Sequence, residues 1–341
     1  MAEEQKSLAE RIEVPDIPKA AAKKIALLEQ QFLRAEVEQL KHSIPLFRPI
    51  YEERSKVIST PEVQENFWMR VFSHAPAEID EYITTADAAA LGTALKNVSV
   101  ERFEVDEAGQ GEPRSIRFVF EFRTGEENPF FTDEKLVKEF YWRKRVTKTQ
   151  KGNTIVWEGL VSEPVRVHWK EDRDLTKGLL DAACDLAEAE KKGGERKKLP
   201  EFKKLVSKIE EVEAEAAKLD EEGEGDDDEE DFPVGPSPAG TSFFSFFGYR
   251  GRDVSAEESA KATKEDEERY QKMLKGEKVD GDDDEAEEDD EEEEEDDEVE
   301  ALEIFPDGEE LAVALAEDLW PNALKYYGGF AHFGHGCCES C

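Results

Sequence analysis

Cysteine and long apolar runs are both scarce in this chain. Its 341 residues include only 4 cysteines, with Cys184 far from the C-terminal group at 337–341. These cysteines do not form a spaced disulfide framework, so we expect a protein of a reducing compartment. No apolar run approaches the roughly 18 to 20 residues of a membrane span, and the N-terminus lacks the basic and apolar regions of a signal peptide. We therefore expect a soluble, intracellular protein.

The common signatures of catalysis are also missing. The sequence has no G-x-x-x-x-G-K-[ST], no G-x-G-x-x-G opening a helix, no G-x-S-x-G and no H-E-x-x-H. His42, His74 and His168 stand alone within their predicted elements. We therefore expect no enzymatic activity and no cofactor.

The C-terminus contains histidines and cysteines, the residue types that bind zinc, but their close spacing argues against a zinc site. Structural zinc sites usually take their ligand pairs from separate loops, whereas here all of these residues fall within one short Gly-rich stretch. CESC is also a poor prenylation signal, since Glu and Ser replace the aliphatic middle residues. We expect an unstructured terminus without a metal. The residues concerned are His332, His335, Cys337, Cys338 and Cys341.

Positive charge is in short supply, and the excess negative charge is concentrated. The chain has 85 Asp+Glu against 45 Lys+Arg, a net charge of −40. Residues 220–231 hold 10 acids and residues 280–300 hold 18, with no base in either tract. These compositions predict disordered acidic tracts attached to a folded domain of ordinary charge. Phosphate would be repelled, so direct nucleic-acid binding is excluded as the main activity and a strongly basic partner is expected.

The second acidic tract supplies the candidate contacts to that partner. Its carboxylates are clustered in a chain that can follow a mobile basic segment. The candidate binding residues are Asp282, Asp283, Asp284, Glu287, Glu288, Asp289, Asp290, Glu291, Glu292, Glu293, Glu294, Glu295, Asp296, Asp297 and Glu298.

Residues 19–60 predict a long helix that packs against its own copy. They are rich in helix-forming residues, and their apolar positions recur with the alternating spacings of 3 and 4 that mark a heptad seam. Such a helix would be roughly 65 Å long at 1.5 Å per residue, too long for a small domain to cover; a core helix within a monomer is the alternative. Pro45 and Pro49 predict a bend. The predicted dimerisation residues are Ile25, Leu28, Phe32, Leu33, Val37, Leu40, Ile44, Phe47 and Tyr51.

The middle of the chain predicts an α+β fold. Helical patterns come first, alternating apolar and polar residues then predict two antiparallel hairpins, and helical composition returns afterwards. The predicted segments are short helices within 62–96, strands at 97–105, 114–123, 139–148 and 153–161, a last extended piece at 166–170, and helices at 174–192 and 199–219.

Two aromatic clusters flank the second acidic tract. These clusters are either an aromatic binding surface or part of the hydrophobic core. We expect them to be part of the core, because a disordered insert is tolerated as a loop when both of its ends are anchored on one domain. The helix predicted at 254–275 and the tract are then expected to project from that domain as a tethered loop. The last helix is expected to stop at Pro321. The clusters are Phe243, Phe244, Phe246 and Phe247, and Trp320, Tyr326 and Tyr327.

Several phrases resemble the nucleosome assembly protein family, specifically its SET-like branch. They are ENPFF followed by LVKEF, then TIVWEGL, VHWK and DRDLTK, then SFFSFF, and finally EDLWPNALKYY. They occur in the family's order over roughly residues 18–327. The residues of these core motifs are Phe130, Phe131, Trp169, Phe243, Phe244, Phe246, Phe247, Trp320, Pro321, Asn322, Tyr326 and Tyr327.

The resemblance implies a homodimer built on a long antiparallel helix pair, in which each subunit adds a compact "earmuff" α/β domain. It also implies a nuclear protein, with shuttling to the cytoplasm left open, that binds core histones through an acidic underside and tail and has no catalytic activity. SET-like relatives suggest an alternative, a regulatory adaptor that modulates an acetyltransferase or a phosphatase. In this chain the main acidic tract lies between SFFSFF and EDLWPNALKYY instead of trailing the last motif.

The basic segment KKGGERKK admits two interpretations, a nuclear import signal or a solvated helix junction. Its bases are Lys191, Lys192, Arg196, Lys197 and Lys198.

The expected division of the chain follows from these patterns. It is a disordered N-terminus at 1–17, a dimerisation helix at 18–60, the α/β domain at 61–219, a linker at 220–240, the aromatic motif and charged helix at 241–275, an acidic insert at 276–300, the C-terminal helix and WPN segment at 301–327, and a disordered tail at 328–341.

Overall fold

A long helix, α1 (Lys19–Ile58), opens the part of the chain that the computed structural model describes, which is residues 18–148, 154–193, 196–222, 242–277 and 302–329. The prediction of a long N-terminal helix is confirmed. The helix runs through Pro45 and Pro49 without ending. None of the helices in the described ranges is both long and apolar enough to cross a membrane.

Short helices connect α1 to the sheet, and longer ones follow it. Thr84 caps α5 in a capping box, in which its hydroxyl accepts from the Asp87 N–H and the Asp87 carboxylate accepts in return. The short helices are α2 (Pro61–Gln64), α3 (Phe67–Phe72), α4 (Ala77–Asp80) and α5 (Thr85–Ala94). The helices after the sheet are α6 (Leu179–Lys191), α7 (Pro200–Glu222) and α8 (Ala256–Leu274), with a 3₁₀ segment at Phe243–Gly248.

The sheet has four antiparallel strands in the order β1-β2-β3-β4. The two predicted hairpins are therefore confirmed, and with them the α+β class. Residues 166–170 form no strand, and Trp169 makes an isolated bridge to Phe131. The strands are β1 (Leu95–Glu101), β2 (Ile116–Phe122), β3 (Lys135–Lys148) and β4 (Thr154–Ser162).

The core lies where β2 meets the 3₁₀ segment. Alternate residues of β2 point to one face, and rings from the 3₁₀ segment pack on them edge to face, with centroids 5.8 Å apart for Phe118 and Phe246 and 5.4 Å apart for Phe120 and Phe247. All four phenylalanines of SFFSFF are fully buried. The expectation that this motif is core is confirmed.

Asp87 fastens this aromatic segment to α5. Its fully buried carboxylate accepts a hydrogen bond from the Ser242 hydroxyl and one of 2.8 Å from the Phe243 N–H. Because the same carboxylate completes the capping box of α5, one side chain fixes the starts of two helical segments.

The C-terminal helical run ends just before Pro321, as predicted, but a further helix that was not predicted follows. Helix α9 (Gly308–Ala314) continues into a π-helical turn (Leu315–Leu319), and a new helix, α10 (Ala323–Gly328), follows Pro321. Proline interrupts a helix from within but is tolerated just before a new one starts. Trp320 and Tyr326 are buried in the same core as the SFFSFF rings, as predicted.

Candidate functional site

One face of α1 exposes a stripe of large apolar side chains. The exposed fraction reaches 68% at Phe32 and 70% at Leu46. The opposite face packs on the chain's own domain through residues such as Arg34 and Arg54. The stripe, called here the exposed stripe, consists of Ile25, Leu28, Phe32, Leu33, Leu46, Phe47, Ile50 and Val57.

The predicted seam and the exposed stripe overlap only in part. Of the predicted dimerisation residues, Ile25, Leu28, Phe32, Leu33 and Phe47 are exposed. Three others are half-buried, and Tyr51 packs on the ring of Trp320 in its own chain, so the structure does not place them on the stripe. The half-buried residues are Val37, Leu40 and Ile44.

Sequence reasoning missed three residues of the stripe, Leu46, Ile50 and Val57. The spacing of 4 from Leu46 to Ile50 and 7 from Ile50 to Val57 was a usable signal. Pro45 and Pro49 lie at the start of this spacing, where they predict an interruption of the helix and so obscure the pattern.

Trp320 joins three parts of the fold. Its ring lies 4.2 Å from that of Tyr51, and its indole N–H donates to the Val98 carbonyl of β1 at 3.2 Å. The guanidinium of Arg54 lies over the indole and donates to the carbonyls of Trp320 and Pro321. Burial lowers the pKa of Arg54 to about 10. The WPN motif is thus the point at which the C-terminal segment is held against α1 and the sheet.

The chain enters the second acidic tract from α8, which was predicted to project from the domain. That prediction was wrong, because α8 packs along β3. The Ser259 hydroxyl accepts from the Lys144 N–H at 3.0 Å, and the Lys144 ammonium pairs with Asp266 at 2.7 Å. Arg34 of α1 also pairs with Asp266, at 3.4 Å, and lies over the Tyr270 ring. The helix is therefore held between β3 and α1.

The chain leaves the tract at Glu303, which is also held against the sheet. Its carboxylate accepts the N–H groups of Arg250, at 2.9 Å, and Gly251, at 3.1 Å. The fully buried Lys138 of β3 donates to the carbonyls of Glu163, Phe247 and Tyr249. Burial lowers the pKa of Lys138 and raises the pKa of Glu303. The negative charge of Glu303 opposes the first shift, and the positive charge of Lys138 opposes the second. The entrance of the tract is thus held on β3 through α8, and its exit is held on the backbone of Arg250 and Gly251, while the carboxylates of the tract lie outside the described residues.

A group of carboxylates lies near the exit of the tract. Two buried tyrosines lie among them: burial, reinforced by neighbouring carboxylates, raises the pKa of both Tyr82 and Tyr326 to about 12. The Tyr326 hydroxyl donates to Asp318 at 2.9 Å. Sequence reasoning missed this group, since its members come from two distant segments. It consists of Glu78, Glu81, Asp307, Glu310 and Asp318 and is called here the acidic surface.

The basic segment after α6 is partly paired with acids. Arg196 lies 3.1 Å from Glu190, and Lys191 lies 3.2 Å from Glu163. These contacts are those of a packed helix junction, and the import interpretation stays a prediction.

Among the described residues, no group of three His, Cys, Asp or Glu side chains could hold a metal ion. The C-terminal histidines and cysteines considered for zinc lie beyond residue 329, outside the described part of the chain.

Comparison with known proteins identifies the family. The model of the nucleosome assembly protein family matches residues 16–330. A nucleosome assembly protein of Schizosaccharomyces pombe is 35% identical over 157 residues, 46% of this chain and 59% of that protein. NAP1-related protein 2 of Arabidopsis thaliana is 30% identical over 166 residues, 49% of this chain and 51% of that protein. The chain spans about half the length of the curated relatives it matches.

Solved structures with a similar course of the chain include Ccp1 and the Vps75 histone chaperone. Ccp1 is 24% identical with a TM-score of 0.48, covering 94% of this chain and 98% of that one. The Vps75 histone chaperone is 18% identical with a TM-score of 0.43, and the match covers 91% of this chain and 97% of that one.

Proposed function

Because this chain belongs to the nucleosome assembly protein family, we propose that it is a homodimeric histone chaperone that binds free core histones and passes them to or from DNA. The observation that carries the proposal is the charge distribution: a tract with 18 acids and no base is held at both ends by one folded domain. A basic protein is the partner that such a surface attracts.

The mechanism we propose relies on many weak contacts. A single exposed ion pair contributes about 0 to 1 kcal/mol, so a histone that pairs with several carboxylates is held firmly and can still be released in steps. DNA competes in the same way, through multiple phosphates. A chaperone of this kind shields histone charge without withholding the histone from DNA.

We further propose that the acidic surface works together with the tract. Glu303 anchors the exit of the tract, and Asp307, which belongs to the acidic surface, follows within a few residues. A histone held by the tract is therefore kept at high effective concentration near the acidic surface. The exposed stripe of α1 is proposed as the dimer contact, which places two such sites in one particle.

Titration of fluorescently labelled H2A–H2B and H3–H4 with the protein tests the proposal. We expect saturable binding of at least one histone pair, weakened when Glu78, Glu81 and Glu310 are changed to Gln. A matched control changes Glu126, Glu127 and Glu210, which are exposed on other elements. Absence of saturable binding contradicts the chaperone role, and equal losses for the two triple variants contradict the role of the acidic surface.

A pull-down from nuclear extract separates this function from the adaptor alternative. Histones as the dominant stoichiometric partners support the chaperone. Recovery of an acetyltransferase or a phosphatase without histones supports the adaptor.

A further inference from the structure

A groove of about 1380 Å³ lies between α1, α8 and the hairpin of β3 and β4. Its apolar lining includes Leu27 of α1, Trp142 of β3, Val156 of β4 and Met273 of α8. The lining residues of α1 extend from 23 to 38, which is about 22 Å at 1.5 Å per residue. About seven residues of an extended chain, at about 3.3 Å each, fit along this length.

The described part of the chain before the second acidic tract ends in this groove. Gly276 and Glu277, the last residues of that part, belong to the lining. Residue 280, where the tract begins, lies within about 10 Å of Glu277 along the chain. The next described residue is 302, and a chain of the length between them can span roughly 80 Å. The first part of the tract can therefore lie in the groove while its end reaches Glu303.

The charges of the groove favour an acidic occupant. Most of the lining carboxylates already have a cationic partner in the domain; Asp266, for example, pairs with Lys144 and Arg34. Lys24 and Arg269 form no ion pair with any described residue, and the buried Nε of Arg269 has no hydrogen-bond acceptor among them. Unpaired cationic donors suit a ligand whose carboxylates only accept hydrogen bonds.

We propose that residues 280–286, the first part of the acidic tract, dock in this groove of their own chain. They hold five acids and no base, and their length matches that of the groove. Because only two residues separate them from Glu277, their effective concentration at the groove is high. The segment of the same chain is thus favoured over an acidic peptide from another protein.

Docking makes the tract selective for strongly basic partners. Part of its charge is already paired in the groove, so a weakly basic protein gains little by displacing it. A histone offers many cations, and ion pairs that are individually weak can be exchanged one at a time. This consequence rests on the proposed function, whereas the docking itself does not.

The mobility of a spin label in the tract tests the docking. Ala286→Cys carries the label without changing the charge of the tract, in full-length protein whose three cysteines within 337–341 are changed to Ser. Cys184 is buried and stays unlabelled. At 0.1 M salt we expect a slowly moving component in the paramagnetic resonance spectrum. A spectrum that shows only the fast motion of a free chain overturns the proposal.

Removing the unpaired cations of the groove should release the label. We expect Lys24→Gln with Arg269→Gln to lower the slow component several-fold, because the docked carboxylates lose their partners. The matched control, Lys96→Gln with Lys203→Gln, removes two exposed cations from other elements and should leave the spectrum unchanged. Lys24→Gln alone, at an exposed position that leaves α8 intact, should give a smaller loss in the same direction. Equal spectra for the two double variants overturn the proposal.

Mixed samples identify the chain whose groove is occupied. Labelled protein that carries the two groove substitutions is mixed with a large excess of unlabelled protein whose groove is intact. We expect the label to stay mobile. Return of the slow component would place the tract on another copy and overturn docking within one chain.

Histone affinity separates the docking from the proposed function. Compared with the control double variant, which removes the same charge, the groove double variant should bind H2A–H2B several-fold more tightly, because its tract is no longer occupied. Equal affinities overturn the competition between groove and histone. Absence of saturable histone binding by every variant contradicts the proposed function, while the label spectra decide the docking independently.

Discussion

At the scale of single residues, Trp320 links the most distant parts of the chain. It contacts Tyr51 and Arg54 of α1 and Val98 of β1. The sequence motif identified this residue, and the reasoning that a loop needs anchored ends predicted its burial. Asp87 and Lys138 were not predictable in the same way. A buried charged residue is specified by partners distant in sequence, and neither residue differs from a solvated one in its local pattern.

Trp320→Ala should destabilise the fold by about 3 to 5 kcal/mol, because it removes a large buried ring and leaves a cavity. Thermal melting measures the loss. Trp157→Ala, in the half-exposed end of β4, is the control and should have a smaller effect. An unchanged melting temperature for Trp320→Ala, with release of the C-terminal piece after cleavage inside 276–300, would show that this segment is not part of the core.

At the scale of elements, periodicity predicted α1 and the two hairpins because one face of each repeats with a fixed period. The position of α8 was not predictable. Its surface is strongly charged, which is typical of a solvated helix, yet small residues such as Ser259 and Ala262 are buried and let it approach β3 closely. Helix α10 after Pro321 was not predictable for a related reason. It is short, and the packing that holds it, such as the burial of Tyr326, involves residues distant in sequence.

Asp266→Asn should loosen α8 without unfolding the domain. The change removes the carboxylate that pairs with both Lys144 and Arg34, and a partly buried, charged hydrogen bond is worth about 1.5 to 3 kcal/mol. Hydrogen exchange should accelerate in α8 and stay unchanged in the sheet. Glu265→Gln, whose carboxylate pairs only with the exposed Lys261 among the contacts described, is the control. Equal exchange of α8 in both variants would contradict the docking contacts.

At the scale of the whole molecule, charge and fold are separable. The two acidic tracts supply 28 of the 40 excess negative charges, while the other 308 residues carry 57 acids against 45 bases. Composition predicted this division. It could not predict the acidic surface, because that surface forms only when α4 and the segment from Asp307 to Asp318 are brought together by folding.

Deleting residues 280–300 should weaken histone binding far more at low salt than at high salt. The tract acts through charge, and the Debye length falls from about 10 Å at 0.1 M to about 3 Å at 1 M. Binding isotherms at several salt concentrations measure the difference. An equal loss at all salt concentrations would point to shape-specific contacts in the tract.

The central claim is that the protein moves histones between itself and DNA, and one competition experiment tests it most directly. Labelled H2A–H2B is first bound to an excess of DNA. The full-length protein is then added at physiological salt, and native electrophoresis separates the free and bound species. We predict that the histone leaves the non-specific DNA complex in proportion to the protein added, and that no band contains the protein together with DNA. A histone–DNA complex that persists at saturating protein, or a ternary band, would contradict the account.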